Sequence, residues 1–218
     1  MKIHIITIFP ESFNSYFKTS IIWNAIKKWL FEVCFYKLND FSELKTKRVD
    51  DKAFWMHWQV LSPIPIEKAL KYIFEKIKKK VKVVYMTPRW QLLNQEKVEW
   101  YYRELDNEFI IICWHYEWID QRIIDLYVDF EICIWEYIVS SGELASMVFI
   151  DSLVRNIPEV LWNSQSLEED SFCKKLNRQK EYSVYTKPRI FNSLEVPDIL
   201  FSWNHKQIEI WKNNNLLK

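Results

Sequence analysis

FIIICWHYEWIDQRIIDLYVDFEICIWEYIVSSGELA, residues 109–145, decides how the rest of the chain is read. It opens on a continuous apolar run, 109–113, with the length and composition of a strand buried on both faces. A tight polar-aromatic turn follows, Trp114-His115-Tyr116-Glu117-Trp118, and then a short helical pattern through Ile119 and Arg122 to Leu126. A second short apolar run, 131–134, leads into a loop over 135–142, and a helix is expected to start near Glu143. Two buried strands that each end in a loop put those loops side by side at the carboxyl edge of a sheet. That edge is where ligands bind in open α/β folds.

Working outward, residues 2–9 read as a β-branched strand stopped by Pro10, with a helix from about Glu11 and a second strand over 30–38. Residues 45–58, KTKRVDDKAFWMHW, read as a polar, solvated loop bearing the adjacent acids Asp50 and Asp51. Pro63 and Pro65 precede a helix expected over 66–80, whose lysine-dense end suits the negative pole of the helix dipole. Residues 81–86 read as another buried strand, and 94–108 as a helix and loop feeding the central stretch. Downstream, ELASMVFIDSLVRNI has apolar residues at helical spacing, carries Arg155 on its last turn and ends at Pro158.

The length of 218 residues suffices for one large domain or two smaller ones. A net charge of +1 does not by itself announce a nucleic-acid partner. No apolar window approaches the roughly 18 residues of a membrane span, and MKIHIITIFP is too short for the apolar region of a signal peptide. A cytoplasmic protein without a membrane partner is therefore expected. Cys34, Cys113, Cys133 and Cys173 lack metal-ligand spacing and read as core thiols. Glycine is the anomaly: ordinary usage of about 7% would supply about 15 residues, whereas the chain has one glycine and 12 tryptophans.

CWHYEWID and IWEYIVSSGELA resemble the CGRYEGID or CGHYEGID and IGDYVLSGGEL loops of the bacterial tRNA (guanine-N(1)-)-methyltransferases, a family of trefoil-knotted SPOUT enzymes. The resemblance extends along nearly the whole chain. Phe9-Pro10-Glu11-Ser12-Phe13 is similar to an FPEMF turn, Thr87-Pro88-Arg89-Trp90 to an LSPQG loop, and Glu169-Asp170-Ser171-Phe172 to an EDSF signature. The segment from Tyr185 resembles the family's small helical C-terminal domain, here shortened. The implied fold class is α/β: a knotted, parallel sheet flanked by helices. The implied domains are a methyltransferase domain over 1–160, a flexible linker over 161–180 and a small tRNA-binding domain over 181–218.

The resemblance implies methyl transfer from S-adenosyl-L-methionine to N1 of the guanine at tRNA position 37, 3′ of the anticodon. It implies a homodimer with shared active sites, and the anticodon stem-loop as partner. Asp170 would act as general base and Arg155 as donor to the guanine O6. The cofactor would sit among three loops, against Met86, Thr87, Pro88, Trp90, Trp114, Tyr116, Trp118, Ile134, Trp135, Glu136, Tyr137, Ile138, Val139 and Gly142. Asp51, His115, Glu117, Ser202 and His205 are implied on the substrate side. Lys45, Lys47, Arg48, Lys174, Lys175, Arg178, Lys187 and Arg189 are candidate phosphate contacts.

One departure is systematic. Trp23, Trp29, Trp55, Trp58, Trp90, Trp114, Trp118, Trp135, Trp162 and Trp203 fall where the family motifs have glycine. Glycine and tryptophan meet in the genetic code at UGA, a stop codon that some bacteria read as one and some as the other. Strained or left-handed backbone is then expected at some of these residues, foremost Trp114, Trp118 and Trp135, with indoles pushed into the cofactor site or into solvent. If the tryptophans are genuine, the alternative is a catalytically inactive tRNA-binding relative.

Overall fold

The computed structural model describes residues 1–55, 57–115, 118–162 and 169–217. They form two compact units, Met1–Trp162 and Asn163–Lys218. In chain order the first unit runs β1 (Lys2–Thr7), a 3-10 turn over Pro10–Phe13, α1 (Asn14–Phe17), α2 (Ser20–Lys27), β2 (Glu32–Lys37), β3 (Asp50–Lys52), β4 (Gln59–Leu61) and α3 (Pro63–Ile77). It continues with β5 (Lys82–Met86), α4 (Gln95–Glu104), β6 (Glu108–Ile112), β7 (Trp118–Ile119), α5 (Gln121–Tyr127), β8 (Phe130–Ile132) and α6 (Gly142–Val154).

The central sheet has the order β2-β1-β6-β5-β8, and every pairing in it is parallel. Ile5 pairs with Ile111, which pairs in turn with Val84, and all three are fully buried. Parallel strands with helices on both faces leave no side for water, which is why 109–113 and 81–86 read as unbroken apolar runs. Helix α3 buries Ile66, Ala69, Leu70 and Ile73, a stripe at helical spacing. Helix α6 buries Phe149, Ile150, Leu153 and Val154.

Four sequence expectations are corrected here. Residues 45–58 are not simply a solvated loop: β3 pairs antiparallel with β4, and β4 pairs parallel with β7, forming a separate three-stranded sheet. Helix α3 starts at Pro63 rather than after Pro65, because a first-turn residue has no intrahelical use for its N–H. The helix expected from Glu11 is broken into the 3-10 turn, α1 and α2. Strands β6 and β8 are not neighbours, since β5 lies between them, and β8 is an edge strand with only Ile132 buried.

The second unit contains β9 (Ile190–Phe191) paired antiparallel with β10 (Leu194–Glu195), a 3-10 turn over Asp198–Phe201, and α7 (His205–Asn214). The side-chain oxygen of Asn204 accepts the Gln207 N–H at 3.3 Å and caps α7. Residues 163–168 of the expected linker lie outside the described residues. Among the described residues no helix is long and apolar enough to cross a membrane.

Candidate active site

Three loops leave the carboxyl ends of β5, β6 and β8, and backbone hydrogen bonds tie them together. The Thr87 N–H donates to the Ile132 carbonyl at 2.9 Å, the Leu93 N–H to Cys133 at 2.7 Å, and the Gly142 N–H to Trp114 at 2.8 Å. Gly142 is needed for that last approach: a Cβ there would lie 2.5 Å from the Trp114 nitrogen. Thr87, Pro88, Trp114, Ile134, Trp135, Tyr137, Ile138 and Val139, all expected from the sequence, line one cavity, joined by Ile132, Cys133 and Ala145, which were not expected. Met86 is buried at the end of β5, and Trp90 and Glu136 are exposed outside the lining. Tyr116 and Glu117 lie outside the described residues.

The cavity's volume is about 20 Å³. That is close to the room one water occupies, against roughly 300–1,000 Å³ for a small-molecule site. As the side chains stand, the lining does not fit S-adenosyl-L-methionine. Larger grooves exist on this unit, about 570 Å³ beside Ile21 and Trp162 and about 690 Å³ beside Asp51, Arg89 and Trp118. The first is remote in sequence from the three loops. The second brings Asp51 together with Trp118, whose ring lies 3.6 Å from the Arg89 guanidinium carbon. Trp118 thus belongs to this groove rather than to the small cavity.

Behind the cavity, Glu143 is buried on the first turn of α6. Its Oε1 accepts the Thr7 hydroxyl at 2.5 Å, while Oε2 has no hydrogen-bond partner among the described residues. The sequence signal was an acid directly after the lone glycine, at the head of a mostly apolar helix. Thr7→Val removes the donor and leaves a buried carboxyl oxygen unsatisfied. It is expected to cost about 1–3 kcal/mol, measured as a shift in the denaturant midpoint at unchanged slope. An unchanged midpoint would assign the Thr7–Glu143 contact no structural weight. Next to it, Cys113 lies 3.2 Å from the Ser146 hydroxyl, and burial, with Glu143 nearby, pushes its thiol well above the ordinary value. That thiol is protonated at neutral pH and is no nucleophile.

Arg155 is half-buried at the C-terminal end of α6, one turn beyond Asp151. Burial, together with the Asp151 carboxylate, pushes the Tyr16 hydroxyl up to about 12, with Arg155 acting in the opposite direction. The sequence reading missed Tyr16 and Asp151 as neighbours of Arg155. His115 is half-buried, its ring 5.0 Å from that of Phe9 in an edge contact.

In the second unit, half-buried Asp170 lies in a turn closed by the Cys173 N–H donating to its carbonyl at 3.1 Å. The preceding residue anchors the turn: Glu169 accepts from Lys212 at 3.3 Å and from the Tyr182 hydroxyl at 3.2 Å. Lys212 foremost holds the Glu169 carboxyl below its usual range. Ser202 and His205 are exposed near the head of α7. Several candidate phosphate contacts already have acidic partners: Arg48 with Asp50 at 3.2 Å, Lys175 with Glu169 at 3.6 Å, and Arg189 with Asp198 at 2.5 Å. Among the described residues no cluster of His, Cys, Asp and Glu suits a metal ion.

The expected backbone strain is present, but not where it was placed first. Trp29, Trp55 and Trp203 have φ of 59°, 65° and 55°. Trp118, in β7, is not in the left-handed region, and neither are Trp114 and Trp135. These two leave β6 and β8 without needing a reversed backbone, and their indoles go into the cavity lining instead.

Comparison with known proteins adds four findings. The tRNA (guanine-1)-methyltransferase TrmD family matches over residues 1–218. The chain is 41% identical over 220 residues to the tRNA (guanine-N(1)-)-methyltransferase of Clostridioides difficile (strain 630), covering 100% of this chain and 93% of that protein. It is 40% identical over 222 residues to the enzyme of the same name from Alkaliphilus metalliredigens (strain QYMF), covering 100% of this chain and 87% of the relative. The crystal structure of tRNA (m1G37) methyltransferase from Aquifex aeolicus superposes with a TM-score of 0.78 at 32% identity, over 98% of this chain and 88% of that one.

Proposed function

This chain belongs to the tRNA (guanine-1)-methyltransferase family, and from that premise we propose that it methylates N1 of the guanine at tRNA position 37. The carrying observation is that the family match runs from the first residue to the last, with both candidate catalytic residues inside it. Relatives named as methyltransferases do not favour the alternative of an inactive tRNA-binding relative. The methyl donor in this proposal is S-adenosyl-L-methionine, which supplies an activated methyl group to the guanine nitrogen. The setting is the cytoplasm, with the anticodon stem-loop as the bound part of the tRNA. The trefoil threading belongs to the same proposal and rests on family membership.

This chain's residues then have distinct tasks. Asp170 accepts the N1 proton. A carboxylate with an ordinary pKa near 3.9 is a weak base for such an N–H, so it works only if the guanine's negative charge is stabilised at O6. Arg155 does that, and its guanidinium presents a planar fork to the oxygen. Asp51, His115, Ser202 and His205 are assigned to tRNA contact in the same proposal.

The direct test offers labelled S-adenosyl-L-methionine and tRNA transcripts with guanine or adenine at position 37 to the protein isolated from its own cells. 1-Methylguanosine is expected only from the guanine-37 transcript. No product, or product from both, would overturn the assignment. A homodimer is also expected, with Asp170 of one chain serving Arg155 of the other. Sedimentation at micromolar concentration should show dimers; fully active monomers would contradict the shared site.

A further inference from the structure

We propose that Trp29, Trp55, Trp114, Trp135 and Trp203 are glycine in the protein its cell makes, their codons being UGA decoded as glycine. Two independent sets of observations carry this, one of backbone and one of volume.

The backbone set is the distribution of left-handed residues. Among the described residues 13 non-glycine positions have positive φ, and the lone glycine is not in that region. Trp29, Trp55 and Trp203 are among them, at φ between 55° and 65°. Asn and Asp tolerate this region, and Asp106, Asn177 and Asn192 use it here. Ser20, Lys47, Lys78, Glu159, Phe172, Arg178 and Ser193 lie there too, so φ alone does not single out the tryptophans; each of these residues has a Cβ that meets the carbonyl oxygen following it, and the three tryptophans add an indole that nothing holds. Nor does burial compensate: Trp29, Trp55 and Trp203 are 84%, 102% and 88% exposed. Apolar surface left in water contributes nothing to folding. These positions have the backbone demands of glycine, and side chains that neither pack nor pair.

The volume set is the donor cavity. It holds about 20 Å³, at least an order of magnitude below a small-molecule site. Trp114 and Trp135 stand on two of the three hydrogen-bonded loops and supply the largest side chains of the lining. Removing both indoles opens the space at the carboxyl edge of β5, β6 and β8 without touching the strands. This part rests on the cavity being the methyl-donor site; the backbone part does not. UGA connects the two sets, since it is one base from the glycine codon GGA and is the codon read as tryptophan in other reassigned codes.

Tandem mass spectrometry of peptides from the protein isolated from its source cells is the first test. Glycine at residues 29, 55, 114, 135 and 203 is the expected result, and tryptophan at these positions overturns the proposal. The second compares full-length recombinant chains, one with the tryptophans and one with all five replaced by glycine. The chain with all five glycines is expected to bind S-adenosyl-L-methionine by calorimetry, whereas the tryptophan chain does not; a further chain with glycine only at the exposed residues 29, 55 and 203, keeping the buried Trp114, is expected to have a thermal midpoint higher by several degrees than the tryptophan chain. A tryptophan chain that fails to fold beside this further chain that folds supports the backbone argument; equal midpoints overturn it. Glycine found in the native peptides without donor binding leaves the decoding proposal standing and overturns the assignment of the cavity.

Discussion

In the chain with glycine at residues 29, 55, 114, 135 and 203, Asp170→Asn is expected to lower methyl transfer by about 10²–10⁴-fold, the range for losing a positioned general base. Asparagine keeps the size of the side chain and its acceptor oxygen but cannot take the N1 proton. The neighbouring anchor is untouched, because Glu169 holds Lys212 and Tyr182 through its own carboxylate. Affinity for S-adenosyl-L-methionine should therefore be unchanged, while turnover collapses. Calorimetry and single-turnover rates separate the two, and an equal loss in both would remove Asp170 from the base role. The variant also tests the shared site. Mixed with an inactive Arg155→Ala chain under exchanging conditions, it should regain activity, since one site per mixed dimer then has both native groups. No recovery would place both residues of each site in one chain.

Arg155→Lys is expected to cost about 10²–10³-fold in turnover, the scale of losing an oxyanion donor. Lysine retains the charge, so a purely electrostatic role would survive the change. The fork would not: an ammonium is a compact point charge and cannot present two parallel N–H groups to one edge of a base. Arg155 caps a helix whose last turns bury Leu153 and Val154, and that packing is unaffected by the substitution. The thermal midpoint should thus be preserved while kcat falls. Near-native turnover would defeat the O6 assignment, and a lowered midpoint with proportionate loss of activity would reduce Arg155 to a structural residue.

How far the sequence carried depended on whether the signal was local. Residues 109–113 and 81–86 announced buried parallel strands, because a strand covered on both faces has no polar positions to spare. The stripe of Ile66, Ala69, Leu70 and Ile73 announced α3 in the same way. The pairing of Asp50–Lys52 with Gln59–Leu61 was not legible. Neither segment alternates, and the sheet is completed by Trp118 and Ile119 from beyond α3, β5, α4 and β6. The contact between Thr7 and Glu143 was hidden for a like reason, since the partners are 136 positions apart.

Asp170 and Arg155 were named only through the family resemblance, whereas the sequence by itself determined the layer architecture and the three loops. Those depend on residue type and on spacing within one element. Composition also showed that a chain of 218 residues with one glycine has exchanged something for its turns. Only the tertiary structure decided which tryptophans bear the consequence. A left-handed φ is a property of a turn's geometry, and it falls on Trp29, Trp55 and Trp203. A filled cavity is a property of three loops converging, and it falls on Trp114 and Trp135, whose own backbone is relaxed enough to admit a side chain. Strain and volume are set by what surrounds a residue in space, and that is why no motif could rank these positions.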